Sequence, residues 1–191
     1  MEIYQIMLVS PNEVKAGGYV TNDVTDGTIG ASIREAQDIH LKAIIGSRLL
    51  ERIQELVYNK MKGLEDNIDD DVNSAYKYLL DRYIGDYLVP KTTSLLCVPI
   101  SLKLRNMGVV QNSDTNVNRS NVDDIFVLQH RFETIACRKA TELSMYLCAN
   151  KDAFPELSEN SCNCGGFVPP MLGKRFVNVP LNLDNDKITC C

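Results

Sequence analysis

The side chains able to do chemistry in this sequence are two histidines, an acidic cluster and a group of cysteines near the C-terminus. His40 falls in a run whose apolar residues recur at helical spacing, so it reads as a core or interface histidine. A general base also needs a nucleophile that the fold sets beside it, and the sequence shows no such pairing. His130 lies between Gln129 and Arg131 and reads as a surface residue. Glu65, Asp66, Asp69, Asp70 and Asp71 crowd one stretch, but they lack the alternating ligands and central glycine of a calcium loop. A solvated acidic connector is expected there. Gly17-Gly18 and Gly165-Gly166 lack the lysine and the spacing of a phosphate loop. No enzymatic activity is expected.

The 7 cysteines divide into two groups. Cys97, Cys137 and Cys148 fall in helical patterns and are expected to be small buried hydrophobes. Cys162, Cys164, Cys190 and Cys191 supply four thiols, the number a tetrahedral zinc site needs. Their spacing is not the usual Cys-x-x-Cys, and adjacent cysteines chelate one ion awkwardly. The expectation is therefore no cofactor, with a zinc-stapled protein-binding adaptor or regulatory module as the alternative function. The odd total, and an N-terminus without a basic stretch leading into an apolar run, argue against a secreted disulfide framework. No apolar run is long enough to span a bilayer, so folding in a cytoplasm without a membrane partner is expected. The formal net charge of −5 argues against wrapping nucleic acid through phosphate contacts.

The elements that must position these residues are mostly helices. Residues 3–9 alternate weakly and end at Ser10-Pro11-Asn12, and residues 13–30 are rich in Gly, Thr, Asn and Asp, which reads as a loop or arm. Ser32-x-x-Glu35 has the form of a capping box. The stripe that follows is Ile33, Ala36, His40, Ile44, then Leu49, Ile53 and Leu56, with a bend or break at Gly46 and an end near Gly63. Asn73 or Ser74 can cap a helix with Tyr76, Leu79, Leu80, Tyr83, Ile84 and Tyr87 on its apolar face. Pro90 starts a new helix or kinks this one, Pro99 adds a second kink, and Leu95, Leu96, Ile100, Leu104 and Met107 continue the face to a C-cap at Gly108. A polar loop over 109–119 leads to a cap at Ser120. The last helix carries Ile125, Leu128, Phe132, Ile135, Ala136, Ala140, Leu143 and Leu147 and ends near Asn150.

Beyond Phe154, prolines and glycines exclude a long helix. Yet Phe167, Val168, Met171, Leu172, Phe176 and Val177 are too apolar for a solvated linker. They are the candidate contact residues, folding back on their own domain or docking on a neighbour or portal. The expected fold is an all-α bundle of four to five helices. An extended N-terminal arm (1–31) precedes the helical domain (32–150), and an irregular tail (151–191) follows it.

Three stretches resemble the head-to-tail connector (adaptor) proteins of tailed bacteriophages, especially those of crAss-like phages of gut bacteria. The first runs from Ala36-Gln37-Asp38-Ile39-His40 through Gly46 to Leu49, a helix-glycine-helix opening. The second has Tyr83-Ile84, Leu88-Val89-Pro90, Val98-Pro99-Ile100 and Arg105-Asn106-Met107-Gly108-Val109-Val110. The third has Ala140, Tyr146, Leu147 and Asn150 followed by Phe154-Pro155-Glu156-Leu157. Together they cover roughly 30–157, and the Cys-rich tail departs from the family's pattern. The resemblance implies a structural virion protein in the neck, assembled in the bacterial host cytoplasm. It implies a ring of the protein's own copies, usually twelve, below a portal protein and in contact with other neck or tail ring proteins. DNA would pass through its channel without sequence-specific binding, and a net acidic wall suits that passage.

Overall fold

The computed structural model describes residues 6–17, 19–105, 108–111 and 122–157. Seven α-helices stand among them. The first two are α1 (Pro11–Ala16) and α2 (Asp26–Glu35). A π-helical turn (Ala36–Leu41) carries α2 into α3 (Lys42–Ile45), and α4 (Ser47–Lys62) follows. After a 3-10 turn (Asp71–Asn73) comes α5 (Ser74–Leu79), which a second π turn (Leu80–Ile84) joins to α6 (Gly85–Ser101). The last is α7 (Val122–Ala149). The fold is an all-α bundle, as its apolar periodicity predicts. The central helix is α6, packed chiefly against α7 and then against α2. One continuous core runs through it, from Val9 and Val14 through Ile29, Ile33, Leu49, Ile53 and Leu88 to Leu143 and Phe154.

The start of the chain differs from the expected arm. Residues 13–30 hold a short helix and the opening of a second one. Ser10 caps α1 with a reciprocal capping box: its side chain accepts from the Glu13 amide, and the Glu13 carboxylate accepts from the Ser10 amide. Pro11 supplies the first helical position, where its missing N–H costs nothing. Ser32 is not a cap. Helix α2 begins six residues earlier, at Asp26, and Ser32 is buried inside it. Gln37 explains why the preceding segment stays docked. Its side-chain amide donates to the Ile6 carbonyl (2.9 Å) and accepts from the Leu8 amide (3.0 Å), completing two backbone groups that burial would otherwise orphan.

The two π turns move the core register. A strict 3.6-residue stripe puts His40 and Ile44 inside, but Leu41 and Ile45 are the buried ones and His40 and Ile44 are half-buried. One extra residue in the turn advances the apolar inward position by one: after Ala36, and the buried polar Gln37 beside it, the next buried apolar residue is Leu41, five residues on. The second turn repeats this, with Leu79 followed by Ile84, and it leaves Leu80 and Tyr83 half-buried. Gly46 breaks the rod as expected, at φ +81° and ψ 163°, a conformation essentially confined to glycine. Gly63 closes α4 in the left-handed region at φ +66°.

Pro90 and Pro99 both lie inside α6, so neither ends it. After α6 the expected helical face does not continue. Leu102–Arg105 and Gly108–Gln111 form an antiparallel pair with Leu102 opposite Gln111 and Arg105 opposite Gly108. Gly108 is thus a strand residue and not a helix C-cap, and Leu104 lies on a strand. Met107, the loop over 112–119 and the Ser120 cap lie outside the described residues. So do Cys162, Cys164, Cys190 and Cys191 and the tail positions Phe167, Val168, Met171, Leu172, Phe176 and Val177. At the other end of α7, Phe154 and Leu157 turn back into the core.

Candidate functional site

Three places were candidates for function: a buried polar run on α6, the acidic connector, and the surfaces at the two ends of α7.

The polar run is Lys91, Thr92, Thr93 and Ser94, four consecutive buried residues on the helix that others surround on every side. The Lys91 ammonium meets the Glu133 carboxylate of α7 at 2.6 and 2.8 Å, and the Ser94 hydroxyl donates to the same carboxylate at 3.1 Å. Thr93 returns its hydroxyl to the Val89 carbonyl, and the Cys97 thiol donates to the Thr93 carbonyl. Burial pushes the Cys97 thiol up, which keeps it protonated and unreactive. The Thr92 hydroxyl is buried without a hydrogen-bond partner among the described residues. His40 lies near this pair. Burial, and then the Lys91 charge, hold its imidazole below the ordinary 6.5, while Glu133 and Glu35 pull the other way. With its ammonium satisfied by a carboxylate, Ser94 bonded to α7 and Thr93 bonded within its own helix, this run locks α6 to α7; it is not arranged as a nucleophile with a base. His40 is half-buried beside it, and His130 is exposed on α7 as expected.

The acidic connector is largely exposed, and three of its five carboxylates are engaged. Asp66 takes the Arg52 guanidinium (2.9 Å) and the Asn73 side-chain amide (2.9 Å). Asp69 takes Lys60 and Lys77, both at 2.8 Å. Asp70 takes the Asn67 amide. These donors hold the Asp66 and Asp69 carboxyls below their usual value. Asn73 sits at the cap position of α5, but its side chain serves the connector and not the helix. The cluster is therefore a loop brace. Among the described residues, no group of three or more His, Cys, Asp or Glu is placed to hold a metal ion. The three helical cysteines are less uniform than expected: Cys97 is buried and free, Cys137 is half-buried and free, and Cys148 is half-buried and disulfide-bonded.

The ends of α7 differ in kind. Near its start, Phe126, Val127 and Leu128 are 54%, 70% and 45% exposed. Leu128 belongs to the expected inward stripe and is nevertheless open. Four residues on, Phe132 is fully buried, with the Tyr19 ring edge-on to it at 4.7 Å. Near the other end, α7 and the second π turn enclose an open groove of about 490 Å³, lined by Arg82, Tyr83, Asp86, Lys139, Met145 and Tyr146 among others. Tyr83 and Tyr146 stack at 4.3 Å, and Tyr78 leans on both. Lys139 is bound to Asp86 and Glu142 across the floor. Arg82 has no ion-pair partner among the described residues. The sequence offered no sign of this groove, because Tyr83 reads as a core residue until the π turn rotates it outward.

These features define an all-α bundle. Residues 41–167 match the model of a family of unknown function (DUF6712), more than half of the chain, and the protein belongs to that family. The match opens at the last residue of the first π turn and takes in α3 through α7. No curated protein and no solved structure matches the chain. No helix among the described residues is long and apolar enough to cross a membrane.

Proposed function

We propose that this protein is a structural assembly subunit, a head-to-tail connector of a tailed bacteriophage that forms a ring below the portal and extends the DNA channel. The start of α7 carries the reading. Successive positions on an α-helix point about 100° apart, so the exposed Phe126, Val127 and Leu128 face three directions and no single flat partner covers them. A helix segment that turns apolar side chains in several directions belongs in an interior, and in this reading neighbouring chains supply it. A subunit in a closed ring has a neighbour on each side, each contact made by different surfaces. The rigid core formed by α6 and α7, locked by Lys91 and Glu133, suits a load-bearing unit. The net charge of −5 suits a wall that DNA slides past.

The test is electron microscopy of the purified full chain, alone and mixed with the portal protein of the same particle. Rings, or neck density that fits this bundle with the start of α7 at a subunit contact, are the expected result. Val127→Asp should dissolve the ring and leave the melting temperature of the single chain nearly unchanged, because Val127 is 70% exposed. A chain that stays monomeric under both conditions, and is missing from the neck, sinks the proposal.

A further inference from the structure

We infer that the tyrosine groove at the far end of α7 is the seat of this chain's own residues 167–172, the run Phe-Val-Pro-Pro-Met-Leu, folded back within the same molecule. The groove has the residue types that concentrate in binding hot spots: tyrosines, a methionine and an arginine. Met145 in its lining and Tyr78, which leans on the two groove tyrosines, are 67% and 51% exposed, so both keep apolar surface open.

The chain itself points to the occupant. The described structure ends at Leu157, beside the groove: the Phe154 ring stands edge-on to Tyr76 at 5.3 Å and to Tyr146, a groove wall, at 6.3 Å. Nine residues, 158–166, then separate Leu157 from Phe167. Nine residues reach up to about 30 Å, ample to enter a groove that begins next to their origin. A tether of that length holds its end at an effective concentration in the millimolar range, so even a weak contact closes within the chain before it closes between chains.

The chemistry matches as well. Consecutive prolines have no N–H to satisfy and favour an extended backbone, and aromatic-lined grooves take such segments by packing rings on the prolines. The flanking Phe167, Met171 and Leu172 supply apolar side chains for the Tyr78 and Met145 rim. The Arg82 guanidinium supplies donors for the carbonyls that a proline-containing segment leaves open. The inference does not depend on the ring, because a monomer would close in the same way.

The experiment uses the full-length chain with photoreactive benzoylphenylalanine in place of Met145, a position exposed enough to accept it. After irradiation of a mixture of isotopically light and heavy protein, digestion and mass spectrometry should find cross-links to 167–172 within single-isotope species. A Pro169→Gly, Pro170→Gly variant should lower that yield several-fold. The chain has no tryptophan, so Phe167→Trp provides an independent reporter. Its emission should be blue-shifted in the intact chain and move to the red when Arg82→Glu and Tyr78→Ala open the rim. Cross-links to another segment, light–heavy hybrids, or no cross-link with a solvent-exposed tryptophan would overturn the inference. Rings observed together with an empty groove would overturn it and leave the assembly proposal standing.

Discussion

Among the places where lysines meet carboxylates in this bundle, two do opposite things. Between α6 and α7, Lys91 and Glu133 pair with 6% and 21% of their side chains exposed. In the connector before α5, Lys60 and Lys77 grip Asp69 from both sides with every partner at least 40% exposed. The distances are nearly the same, so geometry alone does not separate them. Solvent does: water and salt screen the connector, whereas the buried ammonium has one carboxylate to neutralise it and little else. The first pair fixes how two long helices sit against each other. The second braces a loop.

The most direct way to break this contrast is Glu133→Gln. Removing one partner of a buried pair costs about 3–5 kcal/mol. Glu133 keeps some solvent contact, so a loss of about 2–3 kcal/mol is expected in urea unfolding. Adding Lys91→Met should recover most of it; a double variant no better than the single one would show that the pair is not what stabilises the interface. Thr92→Val probes the same buried run with opposite sign. It removes a hydroxyl that lacks a partner among the described residues, and a gain of about 0.5–1 kcal/mol is expected. A loss would reveal a hydrogen bond to that hydroxyl.

His40 sharpens the comparison through pH. Its folded value lies below the ordinary 6.5, so below that pH the unfolded chain binds the proton more readily than the folded one. His40 therefore contributes stability that is fully present above 6.5 and is lost as pH falls through the folded value. Relative to the wild type, His40→Gln should flatten the fall in melting temperature over that acidic window; parallel curves would remove His40 from the account. The smallest effect belongs to Asp69→Asn. The melting temperature should barely move, and the small difference should vanish in high salt. A large loss would mean that the connector is as much a keystone as the buried pair.

Much of the bundle was legible because burial writes itself at helical spacing. From Phe132 onward the expected stripe is buried at Phe132, Ala136, Ala140, Leu143 and Leu147, with Ile135 half-buried. The break at Gly46 and the end at Gly63 were legible because each position needs a backbone conformation that favours glycine. Helix α2 was not, because Gly27, Thr28 and Gly30 are poor helix formers that its buried face outweighs, and α1 is a six-residue helix whose signal lies in the Ser10–Glu13 capping box and not in any apolar period. The pairing of Lys91 with Glu133 spans 42 positions and exists only once α6 and α7 are side by side. The groove is hidden for a different reason: a π turn leaves no periodic signature of its own, so Tyr83 reads as interior.

The second π turn also bears on how this chain tolerates insertions and deletions. A π turn holds one residue more than the α-helical turn it replaces, so deleting one residue within Leu80–Ile84 would return the segment to an unbroken α-helix. Elsewhere in α6 or α7 the same deletion would rotate everything downstream by about 100° and scramble the core. Here the inward spacing from Leu79 to Ile84 would shorten from five residues to four, a normal helical step, with the core on both sides kept in register. The outward bulge that presents Tyr83 to the groove would be lost. A single codon deletion at this position would thus erase the groove and spare the fold.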